Sequence, residues 1–325
     1  MSTLALRGPA RVVVRQHRLV LWTTAALALA GIALVTGAWW WTSATADTFA
    51  GTGCSVQHTV HGCGIDVRHF LSVELYFSRL LRYAGVVMTV LPALVGMFVA
   101  GPMIGRELED GTYRLSWSQS VSPARWLAAK LAVCAVLTVV GVSVLSAVFA
   151  WAWSRTHSTH YPAQWFEREV YGAMGPVPVG CALLGLGLGA LAALLVRRTL
   201  LAMSITALAY GAVVVALTSV RDSLWPVATV ATPLNATPAD LPGGTQYVGR
   251  GMMAGEQRLP DGTCYRDPVP DVDRCLADHH VTGTYTDYHP ASHFWPLQLV
   301  ETGILLVLAA AAVAVAFRVL RRRHA

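Results

Sequence analysis

The sequence predicts an all-α polytopic membrane protein with six transmembrane helices, both termini cytoplasmic, an N-terminal interfacial helix and a large outer loop between spans 5 and 6. Three observations carry this reading. Of 325 residues, 54% are hydrophobic and only 13% are charged, whereas a soluble domain carries about 25% charged residues. Six runs reach the length of about 20 apolar residues needed to cross hydrocarbon. Basic residues gather on alternate connections, the asymmetry that orients membrane proteins. The composition excludes an ordinary cytosolic enzyme and a disordered chain. Of 24 basic residues only Lys130 is a lysine. They are spread without a single patch, so no nucleic-acid partner is expected.

Residues 1–18 come first. Arg7, Arg11, Arg15 and Arg18 are spaced four, four and three apart, which places them on one helical face. Such a helix lies in the headgroup layer, begun by Gly8-Pro9, and leads into span 1. Span 1 covers Leu19–Trp41. An A-x-A motif at Ala44–Ala46 follows a basic segment, as in a cleaved leader, but the apolar stretch exceeds the 7–15 residues of a leader. Span 1 is expected to be retained. Next comes an outer segment with Cys54 and Cys63. Phe70–Tyr83 has helical apolar spacing and contains Glu74, Arg79 and Arg82; it reads as an outer extension of span 2, Gly85–Ile104.

Spans 3, 4 and 5 are Leu127–Trp153, Val177–Val196 and Thr199–Ser219. Spans 4 and 5 are joined by little more than Arg197-Arg198, which makes a tight hairpin. Gly185, Gly187 and Gly189 lie mid-span, where small residues let helices approach closely; no strand precedes them, so a dinucleotide site is not indicated. Span 6 is Pro296–Phe317. Fourteen basic residues, counting Lys130 in the first turn of span 3, sit before span 1, between 2 and 3, between 4 and 5, and after 6, against the three acids Glu107, Glu109 and Asp110. The positive-inside rule then puts both ends in the cytoplasm. Trp39, Trp40, Trp41, Trp151, Trp153, Trp225 and Trp295 mark the outer ends, and Trp22, Trp117 and Trp126 the inner ones.

The outer loop over 220–295 holds eight prolines and is too irregular to assign in detail. It is too small to bury a sizeable core unaided. Cys54 and Cys63, and Cys264 and Cys275, are close enough in sequence to form short disulfide-closed loops in an oxidising compartment. Cys134 and Cys181 fall inside spans. His279, His280, His289 and His293, with Asp278 and Asp287 nearby, allow a metal-site reading; a solvated outer loop is the plainer one, and no metal is assigned. Gln298 and Glu301 in span 6 form a candidate intramembrane polar site, because an acid within a span is a functional candidate by default. No proton-relay chain is present. The chain also has no Walker A motif, no H-E-x-x-H and no G-x-S-x-G.

The most informative stretch is the inner connection over 105–126 and into span 3: Arg106-Glu107-Leu108-Glu109-Asp110-Gly111-Thr112-Tyr113-Arg114-Leu115, then Ser120-Val121-Ser122 and Arg125-Trp126-Leu127 through Lys130. It presents both signs of charge and aromatic residues, which suits docking rather than catalysis. The pattern resembles the first cytoplasmic loop of permease subunits of ATP-binding-cassette transporters of the type-2 exporter class, and the segment from His289 to Gln298 and on through Glu301 looks like the last outer segment and span 6 of actinobacterial-type members. The resemblance implies that this loop is a coupling helix docked on an ATPase, with Arg106, Glu107, Glu109, Asp110, Gly111, Thr112, Arg114, Arg125 and Lys130 forming the contact. It implies one permease domain over 1–325, dimerised, most simply as a homodimer, with two copies of a separate ATPase subunit, in a bacterial plasma membrane. ATP and magnesium would be used by that partner; this chain would bind no cofactor and would be a transport subunit, not an enzyme. The alternatives are a membrane scaffold or sensor, or a membrane enzyme using the outer histidines.

Overall fold

The structure is a computed structural model and describes residues 18–57, 62–111, 122–237, 240–260, 262–264 and 271–324. Apart from Arg18, the expected interfacial helix falls outside the described residues, as do Thr112 and Arg114. By its contacts the chain divides into two compact units, Met1–Leu217 with Gln298–Ala325, and Thr218–Leu297.

The first unit is helical. Helix α1, Arg18–Gly51, runs through Ala44–Ala46 without a break. Helix α2, Gly64–Val95, includes the expected outer extension. Phe49 stacks on Phe70, with ring centroids 4.4 Å apart, and Trp39 meets Phe77 at 5.9 Å, so aromatic pairs hold α1 to this extension. Pro92 lies inside α2; it cannot donate a backbone hydrogen bond and its ring crowds the preceding turn. The helix widens into a π-turn over Gly96–Ala100 and resumes as α3, Gly101–Glu109. The resulting helical run is 46 residues long, longer than the expected span at both ends. It stops where Gly111 takes φ +71°, a left-handed conformation that suits glycine after a helix.

Helix α4, Pro123–Ser154, starts at Ser122, whose hydroxyl accepts from the Arg125 N–H at 3.3 Å. Serine there and proline at the first helical position are the expected start signals. A short helix α5, Arg168–Tyr171, precedes α6, Val177–Val196. Arg197 takes φ 54° and turns the chain sharply into α7, Thr199–Val220. Six described helical runs are long and apolar enough to cross a membrane. Helix α6 is the central one: 67% of its most apolar stretch is buried, against 11% for α1. It has no polar face because protein surrounds it. A Cβ added at Gly189 would lie 2.4 Å from the Gly96 carbonyl oxygen, and one at Gly185 would lie 2.4 Å from that of Pro92. The two helices touch backbone to backbone at the π-turn, the close approach expected of the glycine run.

The second unit departs from the all-α expectation. After residue 217 the chain forms strands β1 (Ala228–Pro233), β2 (Gln246–Ala254), β3 (Gln257–Arg258) and β4 (Gly283–His289), with a short helix α8, Val272–Asp278, between β3 and β4. The sheet order is β1-β4-β2-β3 and every pairing is antiparallel. The central strand β4 reads Gly-Thr-Tyr-Thr-Asp-Tyr-His, rich in the β-branched and aromatic residues that favour strands. Gly251 of β2 leaves room for the Tyr285 ring, which a Cβ would meet at 2.6 Å. The last helix, α9, is Phe294–His324.

Candidate functional site

Helix α3, the start of α4 and the turn between α6 and α7 converge on one end of the first unit. Their apolar faces share a core that includes Ile104, Leu108, Leu127, Leu131, Ala193 and Leu320. Lys130 is buried against this core with only 6% of its side chain exposed. Its ammonium lies 2.6 Å from Glu107 Oε1, donates to the Met103 carbonyl at 3.0 Å and sits 4.6 Å from the centre of the Trp126 ring. The indole N–H of Trp126 donates to Glu107 Oε2 at 3.1 Å. Both carboxylate oxygens of Glu107 are therefore engaged within the chain. A buried ammonium needs this many partners, because removing it from water without them is costly.

Glu109 has a different task. Its Oε2 accepts from the Thr199 N–H at 3.2 Å and the Thr199 hydroxyl at 2.8 Å. It closes the N-terminus of α7, where unpaired N–H groups and the helix dipole favour a carboxylate. Gly105 permits the approach, since a Cβ there would lie 3.3 Å from the Thr199 hydroxyl. Around these contacts Arg106, Asp110, Arg125, Arg197 and Arg198 are exposed. The structure thus sorts the expected docking residues into two groups. Glu107, Lys130 and the exposed Glu109 engage other parts of the same chain, while Arg106, Asp110 and Arg125 face outward. Thr199, Trp126 and the Met103 carbonyl complete the inner group. The sequence singled out Trp126 as an interface marker and as part of the inner-connection motif, without a contact of its own, and carried no signal for the Met103 carbonyl.

At the other end, the connection between α4 and α6 docks on α2 through polar side chains. Glu74, 4% exposed, accepts from the His160 backbone N–H at 3.0 Å and lies 2.9 Å from its Nδ1. Arg82 Nε and Nη2 donate to Glu167 Oε2 and Oε1 at 2.6 and 3.0 Å. Burial pushes the Glu167 carboxyl up, but the Arg82 guanidinium and the Gln164 N–H outweigh it and hold it below the usual carboxylate range. Gln298 is fully buried. Its Nε2 donates to the Tyr171 carbonyl at 3.0 Å and its Oε1 accepts from the Val177 N–H at 3.2 Å. Gln298 therefore joins α9 to the start of α6. Glu301, 3% exposed, is buried on the same helix.

Cys54 is joined to Cys63, and Cys264 to Cys275. Sγ of Cys264 and of Cys275 and a ring nitrogen of His279 lie within 4.8 Å of one another, but bridged sulfurs are not the thiolates that bind metals. Buried His289 donates from Nε2 to the Asp222 carbonyl at 3.0 Å, so its Nδ1 accepts from His293 Nδ1 at 2.9 Å. These two histidines fasten the second unit internally.

A family model described as ABC-2 membrane transporter related matches residues 24–221. No curated protein and no solved structure matches the chain.

Proposed function

We propose, because this chain belongs to the ABC-2 membrane transporter related family, that it is the membrane permease of an ATP-driven exporter. In this reading two copies form the pathway and two separate ATPase subunits dock at the end where α3, α4 and α7 converge, facing the cytoplasm. The chain holds no nucleotide itself; ATP and magnesium act in the partner. ATPase closure pushes on the two docking ends and switches access between the two sides of a bacterial plasma membrane. The observation that supports the docking end is its surface: Arg106, Arg125, Arg197 and Arg198 with Asp110 stand exposed around a buried apolar base. A mainly positive surface over a packed apolar base suits protein recognition, where charge sets orientation and rate of encounter.

The test is a mild-detergent pull-down of the full chain from native membranes, with mass spectrometry of what accompanies it. A stoichiometric partner carrying a Walker A motif is expected. Replacing Arg106 and Arg125 by glutamate lowers its recovery by roughly tenfold or more, since charge-assisted contacts contribute about 1.5–3 kcal/mol each. A clean preparation with no ATPase, in ATP and without it, overturns the reading.

A further inference from the structure

We infer that Glu107 and Lys130 are positioning residues: a clasp between a part-buried carboxylate and a buried ammonium that fixes α3 against α4 and so sets where the outward-facing Arg106 and Asp110 stand relative to Arg125. This rests on the docking reading above and assigns these two residues a task other than contact with the partner.

The geometry carries it. Helix α3 follows the π-turn, which opens at Gly96 and hands over to α3 at Gly101. A helix interrupted in this way does not hold its continuation in line by itself. Beyond the turn, polar ties to neighbouring helices orient α3. Lys130 reaches it at Met103 and again at Glu107, one helical turn apart. Trp126, one turn before Lys130 on α4, holds the second oxygen of the same carboxylate. Two turns of α3 are thus matched to two turns of α4 in a single register. Apolar contacts alone specify a register less sharply, because the hydrophobic effect is non-directional. A carboxylate held by an ammonium and an indole N–H is directional. Buried ion pairs contribute little net stability, and fixing a register is the best-attested reason to keep one.

The spacing explains why the pair points inward. Arg106 and Asp110 lie four apart and share a face of α3, which is exposed; Met103 and Glu107 lie four apart on another, which faces α4. A shift of α3 by one residue would turn the exposed face by about 100° and carry Arg106 away from the docking surface.

The test compares full-length wild type with Lys130→Met and with the double variant Glu107→Gln/Lys130→Met, purified in detergent. Hydrogen exchange is followed over residues 103–110 together with the unfolding temperature. Lys130→Met leaves the carboxylate without its cation; the unfolding temperature falls and α3 exchanges at least about tenfold faster. The double variant removes the uncompensated charge. Its unfolding temperature returns to that of wild type, while fast exchange of α3 persists. Capture of the partner ATPase by the double variant drops in parallel with the loss of α3 protection. Exchange that recovers together with the unfolding temperature means packing alone, and overturns the inference. Unchanged exchange in Lys130→Met overturns it as well. If wild type captures no ATPase, the docking reading fails, and the exchange measurement still decides the clasp.

Discussion

At the scale of single residues, the side chains with several buried partners carry the heaviest demands. Gln298 is the clearest case outside the docking end. Replacing it with alanine removes the side-chain acceptor of the buried Val177 N–H and leaves the Tyr171 carbonyl with only the 3.4 Å bond from the Met174 N–H, and an unsatisfied buried group costs about 1–3 kcal/mol. Gln298→Ala is therefore expected to lower the unfolding temperature of the full chain in detergent by several degrees, read by tryptophan fluorescence; an unchanged temperature contradicts the tie. The sequence marked Gln298 and Glu301 because polar residues are rare in spans. It could not show that Gln298 meets groups more than 120 residues earlier. The same limit applies to Glu107, Glu109 and Lys130. Their residue types and spacing were legible, but their orientation was not. A charged side chain beside a span can face a partner protein or a neighbouring helix, and only the packing of three separate helices decides between them.

At the scale of elements, the spans were legible from length and apolarity, and span 4 falls on the expected residues, Val177–Val196. The π-turn was not, because Pro92 and the surrounding glycines are compatible with a plain kink. The contact between α6 and that turn gives a sharp contrast between two glycines. At Gly189 an added Cβ collides with the Gly96 carbonyl oxygen, whereas at Gly211 of α7 nothing lies within 4 Å. Gly189→Ala is expected to destabilise the chain by about 1–3 kcal/mol through overpacking. Gly211→Ala is expected to be neutral or to stabilise by up to about 1 kcal/mol, since alanine gives up less backbone freedom than glycine in a helix. Equal effects in a thermal-shift assay would contradict the backbone contact. The sheet was missed for a different reason. Strand β4 carries Thr284, Tyr285, Thr286 and Tyr288, a recognisable strand composition, but the prolines and glycines around it mask the pattern, and β1 pairs with it across 50 to 60 residues.

At the scale of the whole molecule, two units built on different principles share one chain. The first is helical and finds its cohesion around α6; the second, Thr218–Leu297, is small and combines a sheet with the Cys264–Cys275 bridge. A bridge closing a short loop contributes about 2–4 kcal/mol, a large share of what so small a unit can supply. Alkylation of the unfolded, non-reduced chain is expected to modify Cys134 and Cys181 only, and all six cysteines after reduction. Four additional labels without reduction would show that neither bridge forms. The Gln298 tie also has a consequence for biosynthesis. The ribosome makes Tyr171 and Val177 well before Gln298, with the entire second unit emerging in between. Until the final span is inserted, the start of α6 has no glutamine to satisfy it, and a chain released before Phe294 carries that defect permanently. Synthesis through Gln298 is thus the step that gives the start of α6 its side-chain partner, and a stop codon before that residue leaves the tie unmade.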